Sequence, residues 1–85
     1  MNRPTCNGRL VAQMEDALRC ITKLAQRGLA IARVELGTLP RPRIIIDAPY
    51  LEPGGLKGGM LRINPEKITY ATDYEHCQVE WEVSA

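Results

Sequence analysis

Between Leu10 and Arg27 the apolar residues return every three or four positions. Placed at about 100° per residue, Leu10, Val11, Met14, Ala17, Leu18, Ile21, Leu24 and Ala25 fall within an arc of about 140°, with Glu15, Asp16, Arg19, Lys23, Gln26 and Arg27 filling the remainder. The spacing predicts an amphipathic helix with one buried face. Asn7 is the expected N-cap, Lys23 and Arg27 sit where the helix dipole favours cations, and Gly28 suits the left-handed position that closes a helix.

Past Gly28 the pattern changes. Residues 29–36 have the propensity for either a continued helix or a strand. A glycine inside a helix costs about 1 kcal/mol, however, and residues 37–42 read as a turn feeding Arg43–Asp47, so a strand pair is expected. Residues 48–59 hold two Pro and four Gly in twelve positions and read as a flexible loop. Met60–Ile63 then pairs with Lys67–Ala71 across a turn at Asn64, Pro65 and Glu66. In the last segment Cys77, Val79, Trp81 and Val83 alternate with His76, Gln78, Glu80 and Glu82, giving one apolar and one polar face. The whole chain, residues 1–85, reads as a single small α+β domain: an N-terminal amphipathic helix packed on an antiparallel β-sheet of four or five strands, in two layers.

Composition narrows the function more than the fold. With 45% hydrophobic and 25% charged residues the chain lies in the ordinary globular range, away from disorder, collagen-like repeats and extended coiled coils. It has no Phe, so its core is modest and dimerisation would help stabilise it. The net charge of +1 argues against nonspecific nucleic-acid binding. The charge is unevenly spread, with eight basic and four acidic residues up to position 48 and three basic and six acidic after it, which predicts one basic and one acidic end. Residues 1–8 lack the apolar run of a signal peptide, and no stretch approaches the ~18 apolar residues of a membrane span, so a cytoplasmic protein without membrane contact is expected. Cys6, Cys20 and Cys77 are odd in number and share no short spacing, which fits reduced thiols better than a disulfide framework.

No reactive constellation emerges. The glycine-rich run from Gly54 to Gly59 lacks the Lys-Ser/Thr and the following helix of a phosphate cradle. The one imidazole, His76, adjoins Cys77, and neighbours in a strand point to opposite faces, so no thiol and base are paired. Three scattered thiols and one imidazole do not make a zinc site, and no cofactor is implied. Among the carboxylates Asp73, Glu75, Glu80 and Glu82, the last two are expected on a solvated strand face. The chain is therefore read as non-enzymatic, with no catalytic residue assigned.

Surfaces remain. His76, Gln78, Glu80 and Glu82 form the candidate partner-binding face, expected to tolerate charge reversal at Glu80 and Glu82 without loss of stability. Their strand is a candidate sheet edge for pairing with a partner or with a second copy in a homodimer. Arg41 and Arg43, around Pro42, form a second patch. With Arg3, Arg9 and Arg33 they support an alternative reading as a small nucleic-acid-binding regulator; a virion structural or assembly component is a third reading.

The helix ending in Arg27 and Gly28, the segment Val34-Glu35-Leu36-Gly37 and the terminal Cys77-Gln78-Val79-Glu80-Trp81-Glu82 together resemble small accessory proteins of temperate bacteriophages of proteobacteria. Anti-CRISPR proteins are the best-known members of that class. The resemblance implies a phage-encoded inhibitor that occupies a surface of a host protein or ribonucleoprotein complex in the bacterial cytosol, and it supplies no catalytic motif. The balanced charge departs from the acidic DNA-mimic type.

Overall fold

The structure, a computed structural model, describes residues 4–85, with side chains from Asn7 onward. Helix α1 (Pro4–Gln26) is followed by β1 (Ala30–Glu35), β2 (Arg43–Asp47), β3 (Gly59–Ile63), β4 (Lys67–Tyr74) and β5 (Cys77–Ser84). The helix begins earlier than the expected cap: Asn7 lies inside it, and Pro4 takes the first turn, where a fixed φ and a missing N–H cost nothing. Its end is as expected. Gly28 has φ 81°, Gly28 N–H donates to Ala25 O at 2.9 Å and Leu29 N–H reaches back to Leu24 O at 3.1 Å, the two bonds of a glycine-closed helix terminus. Residues 30–35 form a strand, which settles the choice between strand and continued helix.

The helix meets the sheet through only part of its apolar arc. The buried positions are Gln13, Ala17, Cys20 and Leu24, whereas Leu10, Val11, Met14 and Leu18 are exposed. Gln13 explains much of this rotation. Its amide donates to Leu39 O at 2.8 Å and accepts from Gly37 N–H at 2.7 Å, so a polar side chain fastens the helix to the loop between β1 and β2. Both ends of that amide are satisfied, which makes its burial inexpensive.

The strand order is β1-β2-β5-β4-β3, so β5 lies at the centre and β1 and β3 form the edges. All neighbours are antiparallel except β2 and β5, whose parallel pairing sets Arg43, Ile44 and Ile45 beside Gln78, Val79 and Glu80. The sheet is thus mixed rather than wholly antiparallel. A parallel pair needs a crossover, and residues 48–58 begin it. Expected to be flexible, this segment is instead anchored by buried Ala48, Pro53 and Leu56. Gly58 is required in it, because a Cβ there would sit 2.6 Å from Ala71 O and 2.8 Å from the Trp81 ring.

The turn joining β4 to β5 is tight: Glu75 and His76 both adopt left-handed backbone, with φ of 50° and 65°. Two consecutive residues of that kind match the twist of a two-residue hairpin. Below α1 the core is built on Trp81, Leu24, Ile44, Val79, Cys20 and Cys77, with Tyr70 stacked on Trp81 at 6.1 Å between ring centres.

Candidate protein-interaction surface

The β5 residues that alternate with Cys77, Val79 and Trp81 point away from α1. Because β2 lies beside β5, this open face also receives Arg43, and the two patches expected to be separate become one ion-pair lattice. Arg43 donates through Nε to Glu80 Oε2 at 2.7 Å, through Nη2 to Glu80 Oε1 at 2.9 Å and through Nη1 to Glu35 Oε1 at 2.8 Å. Gln78 donates to Glu80 Oε2 at 2.7 Å and accepts from Arg41 at 3.1 Å, and Arg41 also pairs with Asp73 at 2.7 Å.

Three of these expectations are corrected. Glu80 is not solvated; it is 2% exposed, beneath Arg43 and Gln78. Its burial alone would raise its pKa, but the bonds from Arg43 and Gln78 outweigh that and hold the carboxyl below its ordinary value. Arg43 is pushed up in turn, chiefly by its bonds to Glu80 and Glu35. His76 does not belong to the strand face, since it occupies the β4–β5 turn. Nor are there separate basic and acidic ends: Lys23–Glu75, Arg41–Asp73 and Arg43–Glu80 each join the first half of the chain to the second. Arg3, one of the expected basic cluster, lies outside the described residues. Glu82 behaves as expected, half exposed and 3.4 Å from Lys67.

The lattice spends its charges internally. Beside it, a cleft of about 180 Å³ is lined by Arg33, Arg43, Arg62, Thr69, Glu80 and Glu82, three cations facing two anions. The remaining chemistry is quiet. Cys20 and Cys77 are free, fully buried thiols side by side between α1 and β5, while His76 stands exposed. Burial, and then the neighbouring Cys77, push the Cys20 thiol up to about 12. The side chain of Cys6 lies outside the described residues. Among the described residues no three His, Cys, Asp or Glu side chains are grouped to hold a metal ion, and no helix is long and apolar enough to cross a membrane.

The strand-edge expectation also shifts. With β2 and β4 on its two sides, β5 has no edge to offer. The free edges are β1 and β3, and they differ in chemistry. Both carry a bulge, but β1 shows charged Arg33 and Glu35, bonded to each other at 3.0 Å. Along β3 every residue is exposed, including Met60 at 61%, Leu61 at 47% and Ile63 at 65%. Arg62 has no carboxylate within ion-pair distance among the described residues. The signal was present in the sequence: Met60, Leu61 and Ile63 do not alternate with polar residues, so at least one of them must face water in a strand with a single buried side.

Comparison with protein-family models, with curated proteins and with solved structures found no match to this chain.

Proposed function

We propose that the protein is a non-enzymatic binding module that inhibits or modulates a host complex by occupying one of its surfaces, in the manner of phage accessory proteins of the anti-CRISPR kind. The observation that carries the proposal is the β3 edge, a strand paired on one side only, whose exposed side chains are three large apolar groups and one arginine without an ion-pair partner among the described residues. Unpaired backbone groups on such an edge form a template for a further strand, and native proteins usually blunt it with charge. The segment it fits is an extended stretch of another protein, apolar where it meets Met60 and Ile63 and acidic opposite Arg62. The open sheet face favours this reading over nucleic-acid binding, because its cations are already interleaved with carboxylates. Action in the reducing cytosol of a bacterial host belongs to the same proposal.

The test is affinity capture from the lysate of a proteobacterial host, comparing the native chain with Leu61→Pro and Ile63→Lys. Proline removes an edge donor, and lysine places a charge where the partner strand would pack. A protein held by the native chain and released by both variants supports strand addition at β3. A protein held equally by all three refutes it, and retention of nucleic acid that falls steeply with salt would favour the regulator reading instead.

A further inference from the structure

The open face of the sheet holds one polar group that the ion-pair lattice leaves out. Thr69 is 2% exposed, and its hydroxyl makes no hydrogen bond among the described residues. Buried hydroxyls are nearly always bonded, so an orphan calls for a reason. The register sets Thr69 between Arg62 on β3 and Glu82 on β5, on the face away from α1, where it lines the cleft of about 180 Å³. Among the charged groups around that cleft, Arg62 alone is uncommitted. Glu80 takes both prongs of Arg43 and a bond from Gln78, Arg33 leans on Glu35 at 3.0 Å, and Glu82 is 3.4 Å from Lys67. Arg62 has no ion-pair partner among the described residues, yet it reaches inward from the sheet edge to line the same cleft as Glu80, which lies two strands away.

We infer that this cleft binds a carboxylate, held by the Arg62 guanidinium and the Thr69 hydroxyl. Both groups donate hydrogen bonds, and bonds to a carboxylate are charge-assisted. Three arginines facing two glutamates leave one positive charge, which a monoanion balances; a phosphate dianion would overshoot it in the presence of Glu80 and Glu82. Ile45, half-buried, gives an apolar wall for the carbons behind the acid group. The ligand class is therefore a short aliphatic carboxylate, either a free acid or the end of a Glu or Asp side chain. Arg62 and Glu82, on the two sides of Thr69, are exposed and long, so they part to admit it. Two or three charge-assisted bonds, set against the cost of association, correspond to a Kd of about 1–30 mM for the acid group alone. The site goes beyond the reading of β3 as a partner edge, because it uses side chains over the sheet face and none of the edge backbone. The two readings share Arg62, so the acidic residue of a strand partner is one source of the carboxylate and a small free acid is the other.

Two-dimensional NMR of the full chain tests this, with sodium acetate and then sodium butyrate titrated against sodium chloride at equal ionic strength. The Thr69 amide and Arg62 Nε–H resonances should shift saturably with a millimolar midpoint, and butyrate, which reaches Ile45, should bind more tightly than acetate. Arg62→Gln should abolish the saturation. Thr69→Val should weaken binding about tenfold, while the chain unfolds at an equal or higher temperature because an unbonded buried hydroxyl has been replaced by a methyl group. Shifts that follow ionic strength alone, a Thr69→Val chain that binds like the native one or is less stable than it, or tighter binding of dimethyl phosphate than of butyrate each overturn the inference. The source is then read by adding butyrate during capture from the host lysate: release of the captured protein assigns the carboxylate to the partner, and retention assigns it to a free acid. Because the titration needs no partner, its failure and a failure of strand addition at β3 are told apart.

Discussion

Replacing Glu80 with Gln keeps the shape of the side chain and removes its charge, and so isolates what the central ion pair does. Glu80 is 2% exposed and takes both of its short contacts with Arg43 at right geometry for a two-pronged pair. Removing one member of a buried pair costs about 3–5 kcal/mol when the stranded charge has no other partner. Here Arg43 keeps Glu35 at 2.8 Å and its side chain is 23% open to water, which limits the damage to about 2–3 kcal/mol. For a domain of this size that corresponds to a fall in Tm of roughly 8–24 °C. The control is Glu82→Gln on the same strand, half exposed and 3.4 Å from Lys67, whose loss is expected to be under about 0.5 kcal/mol. Thermal unfolding followed by circular dichroism distinguishes the two. Equal small shifts in Tm would show that Glu80 is solvated after all and that the lattice is a surface ornament. The same reasoning explains why charge reversal at Glu80 would report on folding before it reported on any partner.

Three further outcomes follow from the same structure. The Glu80 carboxyl is held below its unfolded value, so its stabilisation is complete above the ordinary carboxylate pKa of about 4.3 and is lost as pH falls through the folded value; the gap in stability between native chain and Glu80→Gln should narrow in urea titrations below about pH 4. Cys20 is shifted the other way, so its contribution is complete below the ordinary thiol value of about 8.5 and is lost as pH rises toward about 12; at neutral pH, in a Cys6→Ser background, iodoacetamide should label neither Cys20 nor Cys77 until denaturant is added, and rapid labelling of either in the native fold would contradict their burial. Gly58→Ala should cost about 1–3 kcal/mol, because its Cβ meets Ala71 O and Trp81, while Gly59→Ala, with open space around it, should unfold at nearly the native urea midpoint; equal midpoints would mean the crossover does not press on Trp81.

The parts of the fold that were legible in the sequence are those governed by neighbours along the chain. The helix period, the stop at Gly28, the strand at Arg43–Asp47 and the alternation from Cys77 to Val83 all express local geometry, and all appear in the structure. Strand order does not have that character. Nothing near Arg43 or Glu80 says that β2 will run parallel to β5, and it is this long-range pairing that buries Glu80 and merges the two charge patches. Alternation correctly placed Glu80 opposite Trp81, but it could not show that an arginine and a glutamine would cover that side. The β4–β5 turn was hidden for a different reason: Glu75 and His76 are not the Asn or Gly that usually mark left-handed positions. On α1 the apolar arc was read correctly as apolar, yet only part of it faces the sheet, because Gln13 is bonded to the β1–β2 loop and turns the helix about its axis.

The proposed mode of action concerns the backbone of β3, and amide hydrogen exchange at Gly59–Ile63 reads that backbone without mutation. Measured on the native chain alone and again with a saturating amount of the captured host protein, the outward-facing amides of β3 should pass from rapid exchange to protection as they enter a shared ladder, while those of β1 stay as they were. Complex formation that leaves the β3 amides exchanging at their free rate would contradict strand addition at this edge.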